Sequence, residues 1–139
     1  MFNTQSMVLI ADHDPYSNSS LSVGLRKLGL ARTVVCTTSS SQALAYLHKQ
    51  RSCSYPFPDL IFYNPNIADG ESTDFLNTLS QCFMNEHCMN LFVLEDKADV
   101  SANQFSGFTD IISGKLKKPI SMDDLVRVCS GEGQSIALE

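Results

Sequence analysis

Met7-Val8-Leu9-Ile10-Ala11-Asp12-His13-Asp14-Pro15 is the stretch that decides how this chain is read. Its first five residues are uninterruptedly apolar, as in a short strand buried on both faces of a parallel sheet. The run then stops at Asp12, His13 and Asp14. Asp14 is a good helix N-cap, and Pro15 suits the first helical position. Leu21, Leu25 and Leu28 follow at i, i+4 and i+7 on one helical face, and Gly29 ends the helix.

The same alternation continues to both sides of that helix and beyond. Thr33-Val34-Val35-Cys36 is strand-like. Ser39 or Ser40 caps a second helix whose inner face carries Ala43, Leu44 and Leu47. Gln50 to Pro58 reads as a loop, punctuated by Pro56 and Pro58. Asp59-Leu60-Ile61-Phe62-Tyr63 is a third strand, followed by a turn-rich loop from Asn64 to Gly70. Phe75, Leu76, Leu79 and Phe83 make a helical face, and Leu91-Phe92-Val93-Leu94 a fourth strand. A weak helix is expected between Asp99 and Ile112, and a short fifth strand over Lys115 to Lys118. Ser121 caps the last helix, with Asp123 and Asp124 in its first turn. Met122, Leu125, Val126 and Cys129 form its apolar stripe. The result is a (βα)5 order, which implies an α/β domain with one parallel sheet covered on both faces. Residues 7–129 form this domain, and 130–139 read as a mobile C-terminal tail.

Composition fits one such domain. The chain has 139 residues, 43% hydrophobic and 18% charged, with a net charge of −5. A domain of this size buries enough surface to fold without staples. No apolar run approaches the length of a membrane helix. The start lacks a basic n-region, so no signal peptide is expected. The acidic balance argues against a general nucleic-acid binder. Five cysteines, an odd number without C-x-x-C spacing, read as reduced thiols in a cytoplasmic protein. Cys82, His87 and Cys88 fit no zinc spacing.

In such folds ligands bind at the carboxyl ends of the strands. The residues there are Asp12, His13 and Asp14, then Asn64 to Asn66, Glu95 and Asp96, and Lys118-Pro119. Together these resemble the receiver domain of two-component response regulators. Val8 to Pro15 resembles that family's first strand and acidic cluster, and Pro58 to Asn64 the third strand that ends in the phosphoacceptor. Asp69-Gly70 resembles the close of the next loop, and Lys118-Pro119-Ile120-Ser121 the Lys-Pro motif. The resemblance implies a flavodoxin-like domain with strand order 2-1-3-4-5. It also implies phosphoryl transfer from a kinase phosphohistidine to an Asp, with Mg²⁺ held by acidic residues.

The sequence departs from that pattern where the chemistry sits. The phosphoacceptor position is Asn64, a neutral amide that cannot form an acyl phosphate. The second acidic position is His13, and the hydroxyl position after the fourth strand is Glu95. The aromatic switch position is Lys115. Asp12 and Lys118 alone match. One carboxylate is thin for Mg²⁺, so no cofactor is expected, Asp12 being at most a weak ligand. Glu95 is expected to pair with Lys118 in place of a phosphoryl group. The three lysines at 115, 117 and 118 read as protection of an edge strand.

The expectation is therefore a degenerate receiver, or pseudo-receiver. It would be no enzyme but a signalling module that binds protein through the face of its last strand and last helices. The partners implied are a histidine kinase, a phosphotransfer protein or an output domain, and a homodimer through that face. Two other readings stand beside it. One is a working receiver phosphorylated at another carboxylate, such as Asp69. The other is a sensor holding a small anion at Lys118.

Overall fold

The structure, a computed structural model, describes residues 5–54, 56–65, 72–84, 89–95, 110–118 and 120–129. Strands β1 (Gln5–Ala11), β2 (Ala31–Thr37), β3 (Leu60–Tyr63), β4 (Asn90–Glu95) and β5 (Gly114–Lys117) form one sheet in the order β2-β1-β3-β4-β5. Every neighbouring pair is parallel. Helices α1 (Pro15–Lys27), α2 (Ser40–Ser52), α3 (Ser72–Thr78) and α4 (Met122–Cys129) are interleaved with the strands. This is the flavodoxin-like architecture and strand order expected. The helix anticipated between Asp99 and Ile112 lies mostly outside the described residues; its described end, Asp110-Ile111, is a turn. The expected tail also lies outside them.

The period-two pleat divides the core cleanly. Val8, Ile10, Phe62, Phe92, Leu94 and Leu116 point to one face of the sheet, where Leu21 and Leu25 of α1 and Leu125 of α4 cover them. Leu9, Ala11, Ile61, Tyr63, Leu91 and Val93 point to the other, under Ala43 and Leu47 of α2 and Phe75 and Leu76 of α3. Strands buried from both sides must be apolar at successive positions, which is why β1 and β3 read as continuous runs.

The helix signals were local and held. Asp14 caps α1 by accepting from the Tyr16 N–H at 3.0 Å, with Pro15 as first helical residue. Gly29 follows with a φ of +67°, a left-handed conformation that L side chains resist. Ser39, the first of the two proposed caps, accepts from the Gln42 N–H and starts α2. Ser121 does the same for α4, accepting from the Asp124 N–H at 3.1 Å.

Three details differ from expectation. α2 runs on to Ser52, into the stretch read as loop. α3 continues over Leu79–Met84 as a wider π-helical segment. There the Arg51 guanidinium donates to the Cys82 carbonyl at 2.8 Å and lies over the Phe83 ring, 5.1 Å from its centre. Met122, assigned to the buried stripe of the last helix, is 51% exposed. It occupies the first helical position, above Gly24, where the space between α1 and α4 is open on one side. Of the cysteines in the described residues, only Cys129 is buried; Cys36 and Cys53 are exposed and Cys82 lies between. None of the four is in a disulfide. His87 and Cys88 lie outside the described residues.

Candidate functional site

The sheet delivers Asp12 and Asn64 side by side. Both follow directly on buried strands, and the strand pairing continues one residue past each end. The Asp12 N–H donates to the Thr37 carbonyl at 3.1 Å, and the Asn64 N–H to the Ala11 carbonyl at 2.9 Å. Both side chains are fully buried. A fully buried carboxylate requires compensation for lost hydration, and here each oxygen has it. Asp12 Oδ1 accepts from the Asp14 backbone N–H at 3.0 Å and from Asn64 Nδ2 at 3.1 Å. Asp12 Oδ2 faces the Lys118 ammonium in an ion pair.

His13 stands at the rim, with Nδ1 3.4 Å from Asp12 Oδ1 and its side chain 41% exposed. Lys118 is the better-covered of the two neighbours, with 14% of its side chain exposed. Its own backbone is tied to β4 through an N–H bond to the Glu95 carbonyl at 2.9 Å.

The Lys118 ammonium faces Asp12, whereas the bond described between Lys118 and Glu95 is a backbone one. The pleat supplies the reason. Ile10, Phe62 and Leu116 share one face of the sheet, and Asp12, Asn64 and Lys118 continue their parity by two residues. Glu95 follows Leu94 of that face, so its side chain alternates to the opposite side. The pleat thus turns Glu95 from the face that Asp12 and Lys118 share. Lys115, between Gly114 and Leu116 on the edge strand, also alternates away from the Asp12 side. The edge position fits its reading as strand protection. Asp69-Gly70, Asn66, Asp96 and Pro119 lie outside the described residues.

Asn18 belongs to the site and was not singled out from the sequence. Its Nδ2 donates to the carbonyls of Asp12 and Thr37, at 3.0 and 3.3 Å. These bonds lock the end of β1 to the end of β2, while the Thr37 hydroxyl donates to the Ile10 carbonyl at 3.0 Å. The signal was present. Asn18 precedes Leu21 by three and Leu25 by seven, so an amide sits on an otherwise apolar helical face.

The arrangement limits the chemistry available. The Asn64 amide nitrogen donates a hydrogen bond and offers no nucleophile. Asp12 is paired with Lys118 at Oδ2 and accepts two hydrogen bonds at Oδ1. Mg²⁺ demands several oxygen ligands in octahedral geometry. Among the described residues there is no cluster of three or more His, Cys, Asp or Glu that could hold a metal. The donor set here does not fit Mg²⁺: one carboxylate, one amide already donating to it, and an ammonium.

No family model matches the sequence, and no curated protein does. Solved structures do. A receiver domain protein described as CheY-like, from Methanospirillum hungatei JF-1, superposes with a TM-score of 0.73 at 15% identity, over 96% of this chain and 98% of that one. A two-component response regulator from Cytophaga hutchinsonii gives 0.75 at 16% identity, over 87% and 91%. A receiver domain protein from Clostridium thermocellum gives 0.72 at 16% identity, over 96% and 98%. The fold is that of receiver domains along nearly their whole length.

Proposed function

We propose that this receiver-fold chain is a pseudo-receiver, a two-component signalling module that acts by binding protein and is not phosphorylated. The observation that carries the reading is the Asn64–Asp12–Lys118 cluster. At the acceptor position of the fold, an amide donates to the one retained carboxylate, and the lysine already has its counter-charge. A module wired in this way holds one arrangement of the site without a phosphoryl group. The partner is a kinase, a phosphotransfer protein or an output domain, met through the β5–α4 face. The module performs no turnover of its own, and it works in the cytoplasm. Among the described residues no helix is long and apolar enough to cross a membrane, and none of the four described cysteines is in a disulfide.

The test is intact mass after incubation with Mg²⁺ and acetyl phosphate. The expected result is no added phosphoryl mass. A stoichiometric addition overturns the reading, and mapping it decides whether Asp69 or another carboxylate is the acceptor. The small-anion sensor is the weaker alternative, because its anion would have to displace Asp12 from Lys118.

A further inference from the structure

The net charge of −5 hides a division of the chain. Residues 15–58 hold five Lys or Arg and not one Asp or Glu, a charge of +5. The rest of the chain therefore carries −10. The acid-free stretch is α1, β2 and α2, and β2 is the outermost strand of the sheet. Each of these helices runs back from the carboxyl end of one strand to the amino end of the next. Arg26 and Lys27 close α1, Arg32 opens β2, and Lys49 and Arg51 close α2. The topology thus gathers all five at one end of the sheet, opposite Asp12 and Asn64. All five are exposed. The Arg26 guanidinium reaches the Val34 carbonyl at 3.5 Å, which holds its charge against the outer strand.

Cations in a last helical turn offset the helix dipole, and that accounts for part of the pattern. It does not account for Arg32, which lies on a strand. Nor does it account for the missing acids: the first turns of α1 and α2 have none, whereas that of α4 has Asp123 and Asp124. Among the described residues, the acids nearest this end are Asp59, before β3, and Asp110, before β5. They stand under the middle and the far edge of the sheet.

The charge map also selects the occupant. A nucleic-acid duplex or a membrane extends beyond this end and meets the part of the chain that carries −10. Lipid would find no apolar anchor there, and bases no exposed ring to stack on. The large apolar side chains exposed among the described residues are Tyr16, Val23 and Met122. Tyr16 and Met122 open their helices at the other end of the sheet, and Val23 lies in mid-helix. A short acidic stretch of protein is small enough to lie on the cationic end alone.

We propose that the cationic end of α1, β2 and α2 is a docking surface for an acidic segment of a partner protein. It lies at the opposite edge of the sheet from β5 and does not involve Asn64. Phosphorylation of the chain would leave it standing, and its failure would leave the pseudo-receiver reading standing. Fluorescence anisotropy of a short labelled peptide of alternating Glu and Ser, titrated with the whole chain, tests it. Saturable binding is expected at about 50 mM salt, weakening several-fold by about 200 mM. The matching peptide of Gln and Ser should not bind. Lys27→Glu with Arg32→Glu should weaken binding about tenfold, by replacing attraction with repulsion at two positions. Lys115→Glu with Lys117→Glu changes the net charge equally at the β5 edge and should weaken it less than twofold. Lys27 and Arg32 are exposed, so circular dichroism should show unchanged folding. Absence of saturable binding overturns the proposal. Equal loss in the two double variants overturns it too, since only net charge would then be felt. Tighter binding of a DNA duplex or of phosphatidylserine vesicles than of the peptide overturns the choice of occupant.

Discussion

Lys118→Met takes away the ammonium that faces Asp12 and leaves a carboxylate with 0% exposure. Breaking a buried pair from one side costs about 3–5 kcal/mol, because the remaining charge stays in low dielectric. Two hydrogen bonds to Asp12 Oδ1 survive, from the Asp14 N–H and Asn64 Nδ2. The Lys118 end of the pair is also 14% exposed, so water can replace part of what is lost. The lower end of the range, about 3 kcal/mol, is therefore expected. That is a large share of the roughly 5–15 kcal/mol that holds a typical domain together. It corresponds to a fall in Tm of roughly 10 °C. Asp12→Asn combined with Lys118→Met removes both charges and should cost about 2 kcal/mol less than the single lysine variant. Urea unfolding followed by far-ultraviolet circular dichroism measures all members of the cycle, the chain having no Trp. A Lys118→Met cost below about 1 kcal/mol would refute the reasoning. So would a cost that is the same whether or not Asp12 is charged.

Asn64→Asp exchanges a donor for an acceptor 3.1 Å from Asp12 Oδ1, and at neutral pH it should cost about 1–3 kcal/mol by the same unfolding assay. Gly29→Ala should cost about 1 kcal/mol of stability by forcing a side chain to φ +67°, although the space there is open. Burial pushes the Cys129 thiol up to about 11 from 9.0, so the native state keeps its proton longer than the unfolded chain. The stability this supplies is complete below pH 9 and is lost as pH rises toward 11; Cys129→Ala should lack that alkaline loss in pH-dependent unfolding. Arg51→Ala should destabilise by about 1 kcal/mol, through loss of the Cys82 carbonyl bond and the contact with Phe83, read from thermal melts.

The strands and caps were legible because their causes are local. Met7 to Ala11 is apolar at every position, and Asp14-Pro15 or Ser121 through Asp124 act within one turn of chain. Which residues gather at the sheet end was also legible, since topology alone brings Asp12, Asn64 and Lys118 to one edge. Which of them touch was not. The partner of Lys118 depends on the pleat parity of β4 against β5, a property of paired strands that spacing along one strand does not reveal. Asn18 was legible in principle, as a polar residue on an apolar face. Its partners are carbonyls at the ends of two different strands, which no local pattern announces. The exposure of Met122 follows from its place at the first position of α4, at the edge of the contact with Gly24 of another helix.

The bond from Asn64 to Pro65 has a chemical consequence of its own. An asparagine ordinarily loses its amide when the backbone nitrogen of the next residue attacks the side-chain carbonyl and closes a succinimide ring. Proline has no N–H to surrender, and its nitrogen is already fully substituted. The ageing route from Asn64 to a carboxylate is therefore closed at the covalent level. Conversion of the amide at the end of β3 to a carboxylate is left to direct hydrolysis, a far slower reaction than ring closure.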